Sequence, residues 1–251
     1  QRKRFTERLA EHFLARVRQL TSTGSAKFFQ LMLGGVRTKD LQMYFNEGPA
    51  EALLHSTGLD ASIQASPGDG LFVVDANIGI TKANSFITNT LTDMVTIDAQ
   101  GDALHHLTLR YAWTTPGQAY GNPLYRDYVR IYVPIDSELQ TQDGWQFRGT
   151  SESFDSQVWA GFFTLVYGQI RTITLTWSVP HAAMKDTQGW QYQELMQRQA
   201  GAFWMVHVQL VLPTCAALTG TSGGLTSVGK QTATLNASLN EDLNSGVDYD
   251  C

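Results

Sequence analysis

"RTITLTWSV", residues 171–179, alternates without a break. Ile173, Leu175, Trp177 and Val179 fall on one side, and Thr172, Thr174, Thr176 and Ser178 on the other. Successive side chains of a strand point to opposite faces, so a period of two predicts a β-strand with one face in a core and one in water. A helix would scatter the same apolar residues around its circumference. The pattern recurs on both sides of this stretch. "WMVHVQLVLP" keeps Trp204, Val206, Val208, Leu210 and Leu212 in phase, and "ALHHLTLRYAW" does the same with His105, Leu107, Leu109, Tyr111 and Trp113. "RDYVRIYVP" turns Val129, Ile131 and Val133 inward and Tyr128, Arg130 and Tyr132 outward, while "QVWAGFFTLVY" is apolar on both faces, as a central strand would be. About ten such strands with turns between them predict a mainly antiparallel β-sandwich, immunoglobulin-like, over residues 89–251.

Upstream, residues 1–88 read as a small mixed portion, which makes the fold class α+β. Phe5, Leu9, Phe13, Val17 and Leu20 share one helical face. Ser25 is placed to cap a second helix that Gly34-Gly35 would end, and "PAEALLHSTG" carries Pro49 at the start of a third and Gly58 past its end. "DLQMYF", "ASIQAS" and "LFVVDA" read as strands, the last two separated by the turn signal Pro67-Gly68-Asp69-Gly70. Because Gln1 already lies inside a helical pattern, this portion reads as the end of a larger upstream domain.

Composition narrows the partners. Of the 251 residues 43% are hydrophobic and 16% charged, with a net charge of −5. That is a globular balance, and it argues against nucleic acid, whose phosphates need clustered Lys and Arg. The basic cluster Arg2-Lys3-Arg4 opens an amphipathic helix and reads as a solvated helix end. No apolar run approaches the ~20 residues that cross a bilayer, so any membrane link is expected through an anchor outside this stretch.

Most local motifs fail as chemistry. "VVDANIGITKANSF" (73–86) starts like a calcium loop, but its fifth, sixth and twelfth places hold Gly79, Ile80 and Phe86 where a ligand, Gly and Glu are needed. Asp75 and Asn77 are left as weak metal candidates, and the stretch reads as a strand end, a tight turn at Gly79 and a short helix capped by Thr81 or Asn84. "GTSGG" (220–224) matches G-x-S-x-G, yet Ser222 sits in a Gly/Ser/Thr-rich loop between strands rather than at a strand–turn–helix elbow. His105 and His106 are adjacent on one strand and point apart, His207 lies on another strand turned outward, and no histidine has a partner at ligand spacing. No catalytic residue and no cofactor site emerges. The Tyr128/Arg130/Tyr132 face is the candidate binding surface, suited to a sugar ring or a partner protein. Cys215 and Cys251 are either two free thiols or a disulfide, which strand ends in one sandwich can bring within reach.

"DLQMYF" with "HSTGLDA", then "LFVVDANIGITKANSF", "YRDYVRIYVP" and "YQELMQRQAG" before "LVLP" together resemble the C-terminal part of a bacterial family, domain of unknown function 4012. The resemblance covers nearly the whole chain, with Asn84 and Ile80 departing from the usual motif. It implies a membrane-anchored protein whose bulk lies outside the cytoplasm, and no catalytic residues. The expectation is therefore a non-catalytic extracytoplasmic domain of a cell-envelope protein, for display, assembly or partner binding. Its partner would be an envelope glycan or another envelope protein. The alternatives are part of an enzyme acting on envelope glycans, or a carbohydrate-binding module.

Overall fold

The computed structural model describes residues 2–65, 68–115 and 124–251. Three N-terminal helices precede two packed β-sheets, an α+β architecture in two compact units, residues 1–62 and 63–251.

The first unit holds α1 (Arg2–Arg18), α2 (Ser22–Arg37) and α3 (Gly48–Ser56). Thr21, not Ser25, caps α2: its hydroxyl accepts the Gly24 N–H at 3.2 Å. Nor do Gly34-Gly35 end it. Glycine costs a helix about 1 kcal/mol against alanine but keeps its N–H and C=O in the ladder, so the helix runs on to Arg37. Pro49 does sit in the first turn of α3, and Gly58, at φ 65°, follows its end. "DLQMYF" and residues 61–65 form no strand, because neither pairs with a neighbouring ladder. Phe5, Leu9 and Phe13 of α1 are each more than half exposed. No described helix is long and apolar enough to cross a membrane.

The second unit is the sandwich. Its strands are β1 (Asp69–Asn77), β2 (Thr88–Ile97), β3 (Ala103–Ala112), β4 (Leu124–Pro134), β5 (Glu138–Asp143), β6 (Gln146–Ser153), β7 (Ser156–Val166) and β8 (Ile170–Val179). They continue with β9 (Ala183–Lys185), β10 (Trp190–Gln197), β11 (Trp204–Val211), β12 (Ala217–Ser222), β13 (Thr226–Ser227), β14 (Thr232–Ser238) and β15 (Leu243–Asp250). One sheet has the order β12-β15-β10-β1-β4-β7-β6, with β9 beside β10, and the other β13-β14-β11-β2-β3-β8-β5. Every pair is antiparallel except β1·β10 and β2·β11. The stretch 171–179 behaves as its pattern predicts: Ile173, Leu175, Trp177 and Val179 are at most 1% exposed. "QVWAGFFTLVY" is β7, interior between β4 and β6. The β unit opens at Ile63 rather than at residue 89, because β1 lies in mid-sheet between β10 and β4. Of the turn signal before it, Pro67 lies outside the described residues, and Asp69-Gly70 already begin the strand.

Cys215 and Cys251 are joined in a disulfide, with Cα atoms 5.2 Å apart, at the end of the β12·β15 pair where Ala217 faces Asp250. Closing a loop 36 residues apart removes about 4 kcal/mol of unfolded-chain entropy, and measured gains usually fall short of that. Cys251→Ser is expected to lower unfolding stability by about 2–3 kcal/mol in urea titrations and to match wild type that has been reduced. An equal midpoint for oxidised and reduced wild type would contradict this.

Candidate functional site

Two polar clusters between the sheets meet on β1. Its inward side carries Asp69, Leu71, Val73 and Asp75, so two carboxyls stand at either end of an apolar pair. Each anchors a separate polar cluster between the sheets.

At the Asp69 end the cluster is sealed. Asp69, Asp93 and His105 are 0% exposed and Glu194 is 1%. His105 Nε2 contacts Asp69 Oδ2 at 2.7 Å, and Nδ1 contacts Asp93 Oδ2 at 2.8 Å. Asp69 also accepts the Tyr192 hydroxyl at 2.8 Å and the Gly70 N–H at 2.7 Å. Burial alone would lower the imidazole pKa, but the two carboxylate charges and their hydrogen bonds override it and hold His105 well above its ordinary value. With both nitrogens facing carboxylates, the ring is a buried imidazolium, and it stacks on Trp177 at 4.4 Å and 7°. Glu194 is pushed up to about 8 by burial and then by the charges of Asp93 and Asp69.

At the Asp75 end the cluster opens to solvent. The Tyr111 hydroxyl donates to Asp75 Oδ1 at 2.7 Å, while Oδ2 is buried with no partner. Asp127 lies diagonally across the β1·β4 ladder, facing Asn77. Neither Asp127 oxygen meets a donor at good geometry; the Asp75 carboxyl and the Tyr125 hydroxyl are its polar neighbours. Burial, then the charge of Asp75, raises Asp127 to about 9, and burial raises Asp75 to about 6 against the pull of Tyr111. At neutral pH the pair therefore shares one proton, as two crowded carboxyls must.

Beside Asp75 lies a pocket of about 240 Å³, bordered by Asn77, Asn84, Asn89, Tyr125, Gln199 and Phe203. The primary amide of Gln199 holds the backbone here: its Oε1 accepts the Asp75 N–H and its Nε2 donates to the Asp75 carbonyl, both at 2.8 Å. That bidentate clamp extends the β1·β10 edge beyond Phe72↔Gln197, where the regular pairing stops. Asn77 shapes the rim, accepting the Gly79 N–H at 3.0 Å and donating to the Thr81 carbonyl at 2.9 Å and to Asn84 at 3.3 Å. Ala83–Phe86 then forms a single 3-10 turn, whose Ala83 N–H reaches Thr81 Oγ1 at 3.3 Å. Phe203 stands 71% exposed at the mouth.

The residues singled out from sequence fare unevenly. Asp75 and Asn77 do share a site, but as a pocket wall and a turn brace: the Asn77 amide is committed to its own loop, and the bound Asp75 oxygen faces Tyr111. Tyr128, Arg130 and Tyr132 do not form an exposed aromatic row. Tyr132 is 5% exposed and packs against Phe72 at 5.8 Å, so the second ring of the platform is covered. Ser222 ends β12 instead of lying in a loop, and no helix follows. The chain turns at once through Gly223, at φ 62°, where a Cβ would sit 2.1 Å from the Asn244 carbonyl oxygen. His105 is not an isolated core histidine but the hub of the sealed cluster, while His106 and His207 bond to Thr176 and Asn236 on neighbouring strands. No local motif marks Asp69, Asp93, Asp127, Glu194, Gln199 or Phe203 as a site residue in the sequence.

No family model matches the chain, and no curated protein does. Among solved structures, it resembles a candidate nutrient-binding protein of Legionella pneumophila at 11% identity and TM-score 0.49, over 72% of this chain and 71% of that one. An M1 zinc metallopeptidase of Deinococcus radiodurans follows at 13% and 0.37, over 64% and 42%. Leukotriene A4 hydrolase of Saccharomyces cerevisiae stands at 6% and 0.40, over 68% and 30%. The chain thus spans less than half of either enzyme. The chain stands as an α+β protein with a two-sheet sandwich.

Proposed function

We propose that the chain is a non-catalytic, ligand-binding domain of a bacterial envelope protein working outside the cytoplasm, and that the pocket beside Asp75 is its binding site. The make-up of that pocket carries the reading. One acidic residue, Asp75, four primary amides and an exposed aromatic ring border about 240 Å³. The Asn77 and Gln199 amides are held by backbone and shape the wall, the amides of Asn84 and Asn89 are of the type that bonds sugar hydroxyls, and an aromatic face covers the apolar face of a sugar ring. A neutral glycan unit therefore suits the site, which keeps the carbohydrate-binding alternative and moves it from the Tyr128 face to this one. The Cys215–Cys251 disulfide supports an oxidising compartment. The resemblance to domain of unknown function 4012 supports the envelope setting.

A glycan-cleaving enzyme is the second reading, favoured by the proton shared between Asp75 and Asp127. Glycosidases of either stereochemistry set both carboxyls on the scissile bond, about 5–9.5 Å apart. Only Asp75 borders the pocket here, and Asp127 is 0% exposed behind it. Binding without turnover fits that arrangement better.

Calorimetric titration with neutral oligosaccharides from bacterial envelope glycans tests this. Stacking covers roughly 50 Å² of ring at about 25 cal/mol per Å², about 1.3 kcal/mol, so Phe203→Ala should weaken binding about tenfold. Unchanged affinity in that variant would remove the pocket from the account. Release of new reducing ends would favour the enzyme.

A further inference from the structure

The sealed cluster contains more carboxyl oxygen than its one histidine can satisfy. Three acids, Asp69, Asp93 and Glu194, surround a single imidazole, and every one is at most 1% exposed. Asp69 is the well-partnered acid, taking the imidazole Nε2, the Tyr192 hydroxyl and the Gly70 N–H. The other two are not: Asp93 Oδ1 and Glu194 Oε1 are buried with no hydrogen-bond partner. A buried carboxylate oxygen without a donor costs several kcal/mol unless a proton or a cation supplies the charge. Asp93, His105 and Glu194 each offer one ligand atom, and those atoms lie within 4.8 Å of one another.

We propose that Asp93, His105 and Glu194 form an enclosed binding site for a divalent transition-metal ion of the zinc class, which ties the two sheets of the sandwich together. The ligand set decides the class. Calcium takes six to eight oxygens, and magnesium keeps most of its waters, whereas an imidazole with two carboxylates suits zinc and its first-row neighbours. The orientation is already that of a metal-bound histidine. Asp69 holds the Nε2 side, as an orienting carboxylate does behind a metal ligand, and leaves Nδ1 facing Asp93. Zinc bonds of about 2.0–2.2 Å set tetrahedral ligands ~3.5 Å apart. The Nδ1–Asp93 gap, 2.8 Å, would widen by roughly 0.7 Å, and the most distant atoms, within 4.8 Å of one another, would close by at most about 1.3 Å. Rotation of Glu194, whose side chain is the longest of the three, supplies that movement. The site is independent of the Asp75 pocket. Glu194 comes from β10 in one sheet, and Asp93 and His105 from β2 and β3 in the other, so the ion would act as a clip across the core rather than as a catalyst. With its three ligands at most 1% exposed, the site would take up its ion as the chain folds.

The test is refolding from denaturant with excess Zn²⁺, exhaustive dialysis, and metal analysis of the folded protein. Wild type is expected to retain one zinc per chain and to melt higher than protein refolded in chelator, because an ion that binds only the folded state raises its stability. Glu194→Gln keeps the shape and loses the anionic ligand, so it should fold, retain less than about a tenth of an equivalent, and show no zinc-dependent shift. Asp75→Asn, in the other cluster, should retain one equivalent. Zinc-free wild type, or equal retention by Glu194→Gln, would overturn the site. Should Glu194→Gln fail to fold, Co²⁺-refolded wild type decides. Intense visible bands of four- or five-coordinate cobalt support the site, and the faint spectrum of the hydrated ion overturns it.

Discussion

Replacing His105 with alanine in metal-free protein is expected to cost about 3–5 kcal/mol, a fall of roughly 10 °C in Tm for a unit of this size. The imidazolium bridges two carboxylates that are themselves 0% exposed, at 2.7 Å from Asp69 and 2.8 Å from Asp93. Removing it leaves two buried carboxyl groups without their cationic partner in a core that cannot hydrate charge. It also strips a ring from the face of Trp177, which in turn meets Trp159 edge-on at 5.5 Å. A paired change separates these effects. His105→Leu with Asp93→Leu removes both charges across that contact, and Asp69 keeps the Gly70 N–H and the Tyr192 hydroxyl. The double variant should therefore lose less than His105→Ala alone, since a buried pair replaced whole by apolar groups costs little. Urea titrations of the three proteins check this. A single variant within 1 kcal/mol of wild type would show that the cluster is not held by charge.

The second expected result is a gain. Asp127→Asn should stabilise the protein above neutral pH and flatten its pH dependence. Both acids of the pair have folded pKa values raised above the usual carboxylate range, Asp75 to about 6 and Asp127 to about 9. A raised acid contributes its full stability below about pH 4, where it is protonated in both states. That contribution is lost as pH rises towards the folded value, because the unfolded chain ionises freely while the folded one resists. The loss runs at up to about 1.4 kcal/mol per pH unit for each group, from about 4 to 6 for Asp75 and from about 4 to 9 for Asp127. Between pH 5 and 8 wild type should thus lose about 4 kcal/mol more than Asp127→Asn, whose amide cannot ionise. Stability curves at pH 5, 6, 7 and 8 read this directly, and parallel slopes for the two proteins would contradict it.

The strands were legible because the chain alternates so cleanly. Wherever Thr, Ser or Gln separates Val, Ile, Leu or Trp, as over 171–179, the inward residues are those found in the core. The helix ends were less legible, since Gly34-Gly35 weaken a helix without stopping it and Thr21 is as good a cap as Ser25. "DLQMYF" shows the opposite failure: apolar alternation makes no strand where no ladder adjoins it. Both clusters carried a signal that local motifs hide. Asp93 stands in phase with Leu91, Val95 and Ile97, Asp127 with Tyr125, Val129 and Ile131, and Glu194 with Tyr192 and Met196. An acid in the inward phase of an apolar strand is a buried charge waiting for a partner. Which acids meet was not readable, because Asp69, Asp93, His105 and Glu194 converge only through the parallel β1·β10 pairing and the packing of two sheets. Gln199 and Phe203 lie after a strand, where neither period nor motif marks them.

The central claim is that the pocket beside Asp75 binds a neutral glycan without cleaving it. Side-chain amide resonances are the direct witness. In a two-dimensional NMR titration with an envelope oligosaccharide, the NH₂ signals of Asn77, Asn84, Asn89 and Gln199 should shift together and saturate. Those of Gln209 and Asn236, on the outer side of β11 and β14, should stay in place. The sugar's own spectrum should remain that of intact material after prolonged incubation. Shifts spread over the Tyr128–Arg130 surface with the four pocket amides unmoved, or the appearance of cleaved sugar, would contradict the account.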